Sequence, residues 1–395
     1  MSASTIHWIE NDRACSAGWC SSAGLPPPPR VIIANDRMTA DAAFRLASEG
    51  TAMLWRGDFH NARQLLQAMA RRIDLAAGRP RKTRPSSGSS PIAPATMIDT
   101  FNAHRQAQGQ RARTLGRLLV PFSVGYCIPL RRAPDVQTAC IEAYGAAPQV
   151  VASGVDDTTL AVISLRELNG VIGAHEWRKK GVAVAALEAR IHPHYGVFAP
   201  IRNEYVGLVA KAPLPAVDTA FDIGTGTGVL AAVLAQRGIG QVVATDMDHR
   251  ALACAKENLA RLGYLKQVEL LHADLFPAGR AGLIVCNPPW VPARPSSPLE
   301  HAVYDPESRM LRGFLNGLHT HLDETGEAWL ILSDLAEHLG LRSRTMLLTM
   351  IEAAGLVVLD RMDAKPSHPR TMDKQDVLHV ARSREVTSLW RLKMK

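Results

Sequence analysis

Residues 219–238 read TAFDIGTGTGVLAAVLAQRG. An apolar, strand-like run opens the stretch and an alanine-rich, helix-like run closes it. Between them lies Asp222-Ile-Gly224-Thr225-Gly226-Thr-Gly228. Glycines let the backbone turn sharply and let a ligand lie against the main chain without meeting a Cβ. The helix N-terminus beyond the turn favours negative charge.

A second apolar strand, QVVATDMD, ends at Asp246 and Met247, with Asp246 24 residues after Asp222. An acid at that distance past a glycine turn suits the two hydroxyls of a ribose. A dinucleotide site would spell GxGxxG, whereas this turn spells GxGxG and sets an acid before its first glycine. A pyrophosphate would be repelled by Asp222. That acid either accepts hydrogen bonds from the amino-acid end of a ligand or holds the turn through its own backbone. The ligand implied carries an ammonium group, a ribose and a base, but no phosphate. A third strand, VELLHAD, ends at His272-Ala-Asp274, followed by Leu275. A carboxylate there can accept from an adenine amino group; His272 reads as packed or solvent-facing.

The alternation continues with GLIVCNPPW, SRMLRGFLNGLHTHL, EAWLILSD, LRSRTMLLTMIEAAG and LVVLD. Strand and helix in turn, with short connections, describe a parallel sheet covered on both faces. The near-continuous apolar strands agree with that burial. ARSREVTSLWRL returns as the final strand, with Trp390 packing.

The fourth strand ends in Asn287-Pro288-Pro289-Trp290. Its tip lies beside the first strand, at the switch point where such sheets bind ligands. An exocyclic amine or amide nitrogen is a poor nucleophile because its lone pair is spread into a π system. Two acceptors on its N–H groups draw it out of conjugation. The Asn287 oxygen supplies one and the Pro288 carbonyl the other, while proline fixes φ and removes donors. Trp290 then stacks on the planar group, worth ~1–3 kcal/mol by analogy with base–aromatic stacking. Each hydrogen bond adds only ~0.5–1.5 kcal/mol net, so Trp290 is expected to carry affinity and Asn287 alignment.

These residues together resemble the class I S-adenosylmethionine-dependent methyltransferases over roughly 195–395. The resemblance implies a Rossmann-like, seven-stranded α/β domain with a mostly parallel sheet, and S-adenosyl-L-methionine as cofactor. It implies that Gly224, Thr225, Gly226 and Gly228 lie under the methionine part, with Asp222 near its amino end. Asp246 and Met247 fall at the ribose, Asp274 and Leu275 at the adenine, and Asn287 beside the transferred methyl. The tetrapeptide resembles the small-domain N-methyltransferases that act on planar nitrogens: nucleobase amino groups of DNA and rRNA, or the glutamine amide of peptide release factors. Val291-Pro292 leans toward the glutamine enzymes, and Pro200-Ile-Arg202-Asn-Glu204 is similar to their Pro-Arg-x-Glu segment with one residue inserted. The implied partner is RNA, the ribosome or a translation factor. Two rivals stand beside this reading, an NAD(P)-dependent Rossmann oxidoreductase and a non-catalytic RNA-binding module of the same fold.

The first half is less explicit. Residues 1–36, with PPPPR at 26–30, read as a flexible tail, 37–190 as a mixed α/β substrate-recognition domain, and 191–395 as the methyltransferase-like domain. Residues 37–76 read as helical, with Phe59, Ala62, Leu65, Leu66 and Met69 at helical spacing. GRPRKTRPSSGSSPIAPAT, 78–96, is a linker or loop whose Arg79, Arg81, Lys82 and Arg84 are candidate phosphate contacts. The helix 98–120 carries Arg105, Arg111, Arg113 and Arg117; strands are expected near 150–152 and 160–165.

The 395 residues suffice for two domains, and the net charge of +8 tilts toward an anionic partner. The six cysteines form no CxxC pair and read as free thiols. His175, His192 and His194 lack an acid or cysteine at matching spacing, and no metal is expected. Arg294, His301, Arg309, His368 and Arg370 are candidates for an anionic substrate. There is no signal peptide pattern and no run near the ~20 apolar residues of a membrane span, so a cytoplasmic protein is expected. The oligomeric state is left open.

Overall fold

The computed structural model describes residues 4–77, 96–147, 159–295, 298–366 and 373–395. The basic loop 79–84, the strand expected at 150–152, and His368 with Arg370 lie outside those residues. The chain divides into two compact units, one holding the described residues up to 77 with Asn102–Glu176, the other Thr96–Phe101 with Trp177–Lys395. The division falls at 176/177, not at 190/191.

The first unit is a six-stranded sheet with helices. Its strands are β1 (Thr5–Glu10), β2 (Arg13–Cys20), β3 (Val31–Ala34), β4 (Ala52–Trp55), β5 (Leu118–Phe122) and β6 (Ala161–Ser164), in the order β1-β2-β6-β5-β4-β3. Its helices are α1 (Ala40–Ser48), α2 (Phe59–Ala77), α3 (Met97–Leu115), α4 (Gln137–Tyr144) and α5 (Leu165–Lys180); α3 and α5 each cross a unit boundary. The expectation of a tail over 1–36 is wrong. Thr5–Glu10 alternates, burying Ile6 and Trp8, and pairs antiparallel with β2. The chain reverses at Asn11 and Asp12, both with positive φ (50° and 60°), as a two-residue hairpin turn requires. Residues 37–76 are likewise not all helix: the four buried residues of β4 pass between α1 and α2. The stripe on α2 is buried as its spacing predicts, from Phe59 to Met69.

The second unit continues with β7 (Val182–Val184) and β8 (Ala189–Ile191), a two-stranded antiparallel sheet, and α6 (Glu204–Lys211). Then follow β9 (Thr219–Ile223), α7 (Val229–Gln236), β10 (Gln241–Asp246), α8 (His249–Leu262), β11 (Val268–His272) and β12 (Ala281–Cys286). The chain ends with α9 (Arg309–His321), β13 (Leu322–Ser333), α10 (Leu335–His338), α11 (Arg344–Ala353), β14 (Leu356–Ala364), α12 (His379–Arg382) and β15 (Thr387–Met394). The seven-stranded sheet runs β11-β10-β9-β12-β13-β15-β14, parallel from β11 to β13 and antiparallel at β15. Every residue of the central strand β12 is buried, which is why its sequence is uninterruptedly apolar. One core cluster joins α7 to Val242, Leu283 and Trp329; another joins Phe221 and Ile284 to α9 and Trp390. Trp390 packs as expected, 5% exposed.

Candidate functional site

The site lies at the C-terminal tips of β9, β10, β11 and β12. After β9 the chain makes its glycine turn with φ of +74° at Gly224, +55° at Gly226 and +80° at Gly228. A Cβ on Gly228 would sit 3.1 Å from the Ala255 backbone, so this glycine allows α7 to press against α8. A Cβ on Gly226 would meet nothing within 4 Å, so this glycine faces open space. The two glycines thus serve opposite needs, close packing behind the turn and an uncovered main chain in front.

The N–H groups of the turn are engaged inside the protein. Gly224 and Thr225 both donate to the Thr245 carbonyl at 2.9 Å. Gly226 donates to Asp246 Oδ2 at 2.9 Å, and Gly228 donates to the Thr225 carbonyl. A phosphate would find these donors taken, and two carboxylates beside it. The donor set therefore fits a cationic, phosphate-free ligand such as S-adenosylmethionine and does not fit a pyrophosphate.

Asp222 is 1% exposed and works structurally. Its Oδ2 accepts from the Thr225 hydroxyl at 2.6 Å and from the Ala231 N–H at 3.0 Å, tying the turn to the first residues of α7. Burial pushes its pKa up to about 6 against the opposing pull of these hydrogen bonds. Of the two roles open from sequence, holding the turn is the one the geometry displays. Asp246 is likewise raised by burial; its Oδ1 accepts from the Asp248 N–H, and Asp248 in turn caps α8 by accepting from the Arg250 N–H. Met247 follows with its side chain exposed. Asp274 is paired with Arg309. Leu275 adopts φ +78° and its carbonyl accepts from the Thr245 hydroxyl. His272 stacks on His249 and lies 3.0 Å from the Met247 carbonyl.

Strand register brings the two motifs together. Ile223 pairs with Cys286 on adjacent parallel strands, so Gly224 and Asn287 leave the sheet side by side. Pro288 is buried, and Asn287, Pro289 and Trp290 are half-buried. The Trp290 indole N–H donates to Asn287 Oδ1 at 2.8 Å. The Arg202 guanidinium stands over the Trp290 ring, 5.5 Å from its centroid. One face of the ring expected to stack is thus covered by Arg202. Beyond Trp290, Asp305 N–H donates to the Val291 carbonyl at 2.9 Å, and Val291 N–H to the Val303 carbonyl at 3.2 Å.

Several residues at the site escaped the sequence reading. Asp305, 5% exposed, accepts from the Met310 and Leu311 N–H groups and so secures the start of α9. Met310 then reaches Gly224, where a Cβ would come 2.7 Å from its methyl group. The signal was present, since Asp-Pro-Glu-Ser before an apolar helical run marks a helix start. Arg202 is held by Glu204 at 2.9 Å and by Glu385 at 3.0 Å, and Glu385 is 2% exposed. Arg202 and Glu204 were marked by resemblance alone, and Glu385 lies 183 residues from Arg202, where no spacing rule reaches.

The remaining candidates fall elsewhere. Arg294 and His301 are exposed on the segment that follows the tetrapeptide. His194 lies 2.7 Å from Glu257, His192 lies 2.6 Å from the Arg178 carbonyl, and in the first unit His175 lies 2.9 Å from Glu142. Arg111 pairs with Asp74 and Arg113 donates to Gln110. Arg105 and Arg117 lie on and just after α3, and burial lowers the Arg117 pKa. The six cysteines are unbridged. Among the described residues no helix is long and apolar enough to cross a membrane, and no group of three or more His, Cys, Asp or Glu is placed to hold a metal.

Residues 188–344 match a family model described as the methyltransferase small domain. The chain is similar to the tRNA1(Val) (adenine(37)-N6)-methyltransferase of Shewanella amazonensis, 31% identical over 166 residues, which is 38% of this chain and 71% of that protein. The enzyme of the same name from Shewanella sp. (strain MR-4) is 31% identical over 34% of this chain and 60% of its own. The release factor glutamine methyltransferase of Cereibacter sphaeroides is 40% identical over 28% of this chain and 38% of its own. The chain thus spans only part of the length of these relatives, from 38% to 71%.

Proposed function

The chain belongs to the methyltransferase small domain family, and on that premise we propose that it moves a methyl group from S-adenosylmethionine onto a planar nitrogen, the exocyclic amine of an RNA adenine before others. The observation that carries the proposal is the register of β9 on β12, which sets the glycine turn and Asn287 at adjacent strand tips. When bound, S-adenosylmethionine supplies a methyl group on a positively charged sulfur, ready for direct displacement by a nitrogen lone pair.

The residues of the chain do the rest by placement. The open backbone at Gly226 and the acids Asp222 and Asp246 favour a positively charged ligand over the turn. Asp246 and Asp274 offer carboxylates at the levels of the ribose and the base. Asn287 Oδ1 and the Pro288 carbonyl accept from the two N–H groups of the acceptor and pull its lone pair out of conjugation. No nucleophilic side chain is needed, because alignment supplies the rate enhancement. Adenine in RNA is favoured by the name and coverage of the Shewanella amazonensis relative and by the net charge of +8. A glutamine amide of a release factor is the second reading, favoured by Val291-Pro292 and by the 40% identity to the Cereibacter sphaeroides enzyme. On either reading the protein acts where translation does, in the cytoplasm.

The test is twofold. Calorimetry should show binding of S-adenosylmethionine and none of NAD. Incubation with tritiated donor should label total tRNA, or a release factor on the second reading. Binding of NAD with no binding of the methyl donor would overturn the proposal.

A further inference from the structure

We propose that Phe101 is a positioning residue for methyl transfer: it braces the Asn287–Trp290 loop through a shared apolar cluster, so that Asn287 and the Trp290 ring meet the acceptor in place. The inference rests on the methyl-transfer reading and adds to it a residue far upstream of the 188–344 family match.

Past the end of β12 the loop has few backbone donors to hold it, since Pro288 and Pro289 carry no N–H. Its ties lie further on. The Trp290 carbonyl accepts from Arg342, the Val291 N–H donates to the Val303 carbonyl, and the Val291 carbonyl accepts from the Asp305 N–H. Packing does the rest. Val291, 3% exposed, lies in an apolar cluster with Phe101, Leu339, Leu378 and Ala381, and Trp290 packs against it. This cluster is separate from the two that line the seven-stranded sheet. Trp290 adjoins all three, and of the three this one alone draws on residues from before Trp177.

Phe101 is 4% exposed, on the first part of α3, whose residues from Asn102 onward belong to the first unit. In this otherwise polar helix Met97, Ile98 and Phe101 gather in the first five residues. The turn that carries them is fixed at its start and on its side. The Asp99 carboxylate accepts from the Thr96 N–H at 3.0 Å, and the Thr96 hydroxyl accepts from the Asp99 N–H at 3.2 Å, a reciprocal cap. Ile98 adjoins the residue pair after α10, where a Cβ on Gly340 would come 3.2 Å from its Cγ1. Met97 packs against the same cluster as Phe101. Transfer by alignment is sensitive to such support, because a misplacement of about 1 Å from a distant substitution can cost about 10²-fold. Removing the Phe101 ring opens a void in the cluster into which the loop can relax. The 222–228 turn follows β9 and lies outside the cluster, so donor binding is expected to hold.

The test compares Phe101→Ala with Phe101→Leu, which refills most of the space. Ile351→Ala, at a buried α11 residue outside the cluster, is the control for lost stability. Transfer is followed from tritiated S-adenosylmethionine to total tRNA and to a release factor, with donor Kd by calorimetry and Tm by circular dichroism. Phe101→Ala should lower kcat/KM for the acceptor by about 10-fold or more with donor Kd within about 2-fold, and Phe101→Leu should recover most of it. Ile351→Ala should stay within about 2-fold of wild type in kcat/KM despite its lower Tm. Equal losses in Phe101→Ala and Ile351→Ala, or no loss in Phe101→Ala, would overturn the proposal. If Phe101→Ala does not fold, Asp99→Ala carries the test, since it opens the exposed cap and leaves the cluster intact: kcat/KM lower by about 3-fold or more supports the brace, and an unchanged value overturns it. A wild-type protein that labels neither acceptor counts against the methyl-transfer reading instead. In that event the Trp290 indole resonance, identified by its loss in Trp290→Phe, still decides: it should move in both Phe101 variants and hold in Ile351→Ala. A resonance unmoved in the Phe101 variants would overturn the proposal.

Discussion

Asp222 is a carboxylate in an apolar shell, bonded to a hydroxyl and a backbone N–H, and burial raises its pKa to about 6. The unfolded chain holds an ordinary aspartate near ~3.9. Between those values the native state keeps a proton that the unfolded state has lost, so the contribution to stability falls as pH rises from about 4 to about 6. This is the reverse of a salt-bridged carboxylate. Asp222→Asn removes the titration while keeping an oxygen for Thr225 and Ala231. Relative to wild type, the variant should gain on the order of 2–3 kcal/mol between pH 4 and pH 7.5. Urea unfolding of both proteins at both pH values measures this; a stability difference that does not move with pH would contradict it. The presence of Asp222, and its unsuitability for a pyrophosphate, was legible in the sequence. Its bonds to Thr225 and Ala231 were not, because burial and hydrogen-bond geometry are set by the packing of α7 on the sheet. Trp290 illustrates the same limit: its ring was legible, but its bond to Asn287 and the cover from Arg202 were not.

At the scale of elements, the turn between β9 and α7 separates two glycine functions that read alike in sequence. Gly226→Ala adds a methyl group to open space, at a cost of about 1–2 kcal/mol for its positive φ. It should fold, yet lose donor binding by at least about tenfold, roughly 1.4 kcal/mol, because the methyl stands where the ligand would lie. Gly228→Ala drives a methyl against the Ala255 backbone and should lower Tm by more. Donor titration and thermal melts of the two variants check both statements; unchanged donor affinity in Gly226→Ala would place the ligand elsewhere. A second element-scale tie is Arg202, which joins the start of α6 to the residue pair before β15. Removing it in Arg202→Ala leaves Glu204 and Glu385 without their partner and should destabilise by about 3 kcal/mol, seen as a lower urea midpoint; a shift within error would contradict the buried-pair account. The main strands and helices from β9 to β15 were legible because β9, β10 and β12 are near-continuous apolar runs and α8 and α9 are amphipathic; the four-residue α10 and α12 were not. Nor were β1 and β4. β1 turns on Asn11-Asp12, a weaker hairpin signal than Asn-Gly, and β4 is four apolar residues between two helices, too short to show a period.

For the whole molecule, two units share one chain, and the residues proposed for chemistry all belong to the second. The first unit was read as mixed α/β, but its strand order was not legible, since its sheet mixes parallel and antiparallel neighbours drawn from strands far apart in sequence, such as β2 beside β6. The net charge of +8 belongs to this scale as well. If the acceptor is RNA, raising salt from 50 to 200 mM should raise the apparent KM for tRNA several-fold while donor affinity holds, because phosphate contacts release counterions; a flat KM would shift weight to the release-factor reading. The central claim, that a methyl group carried over the 222–228 turn is passed to a nitrogen held by Asn287, is tested most directly by single-turnover transfer with Asn287→Ala. The account predicts donor affinity within about threefold of wild type and a transfer rate lower by about 10²–10³. Transfer at the wild-type rate would contradict it.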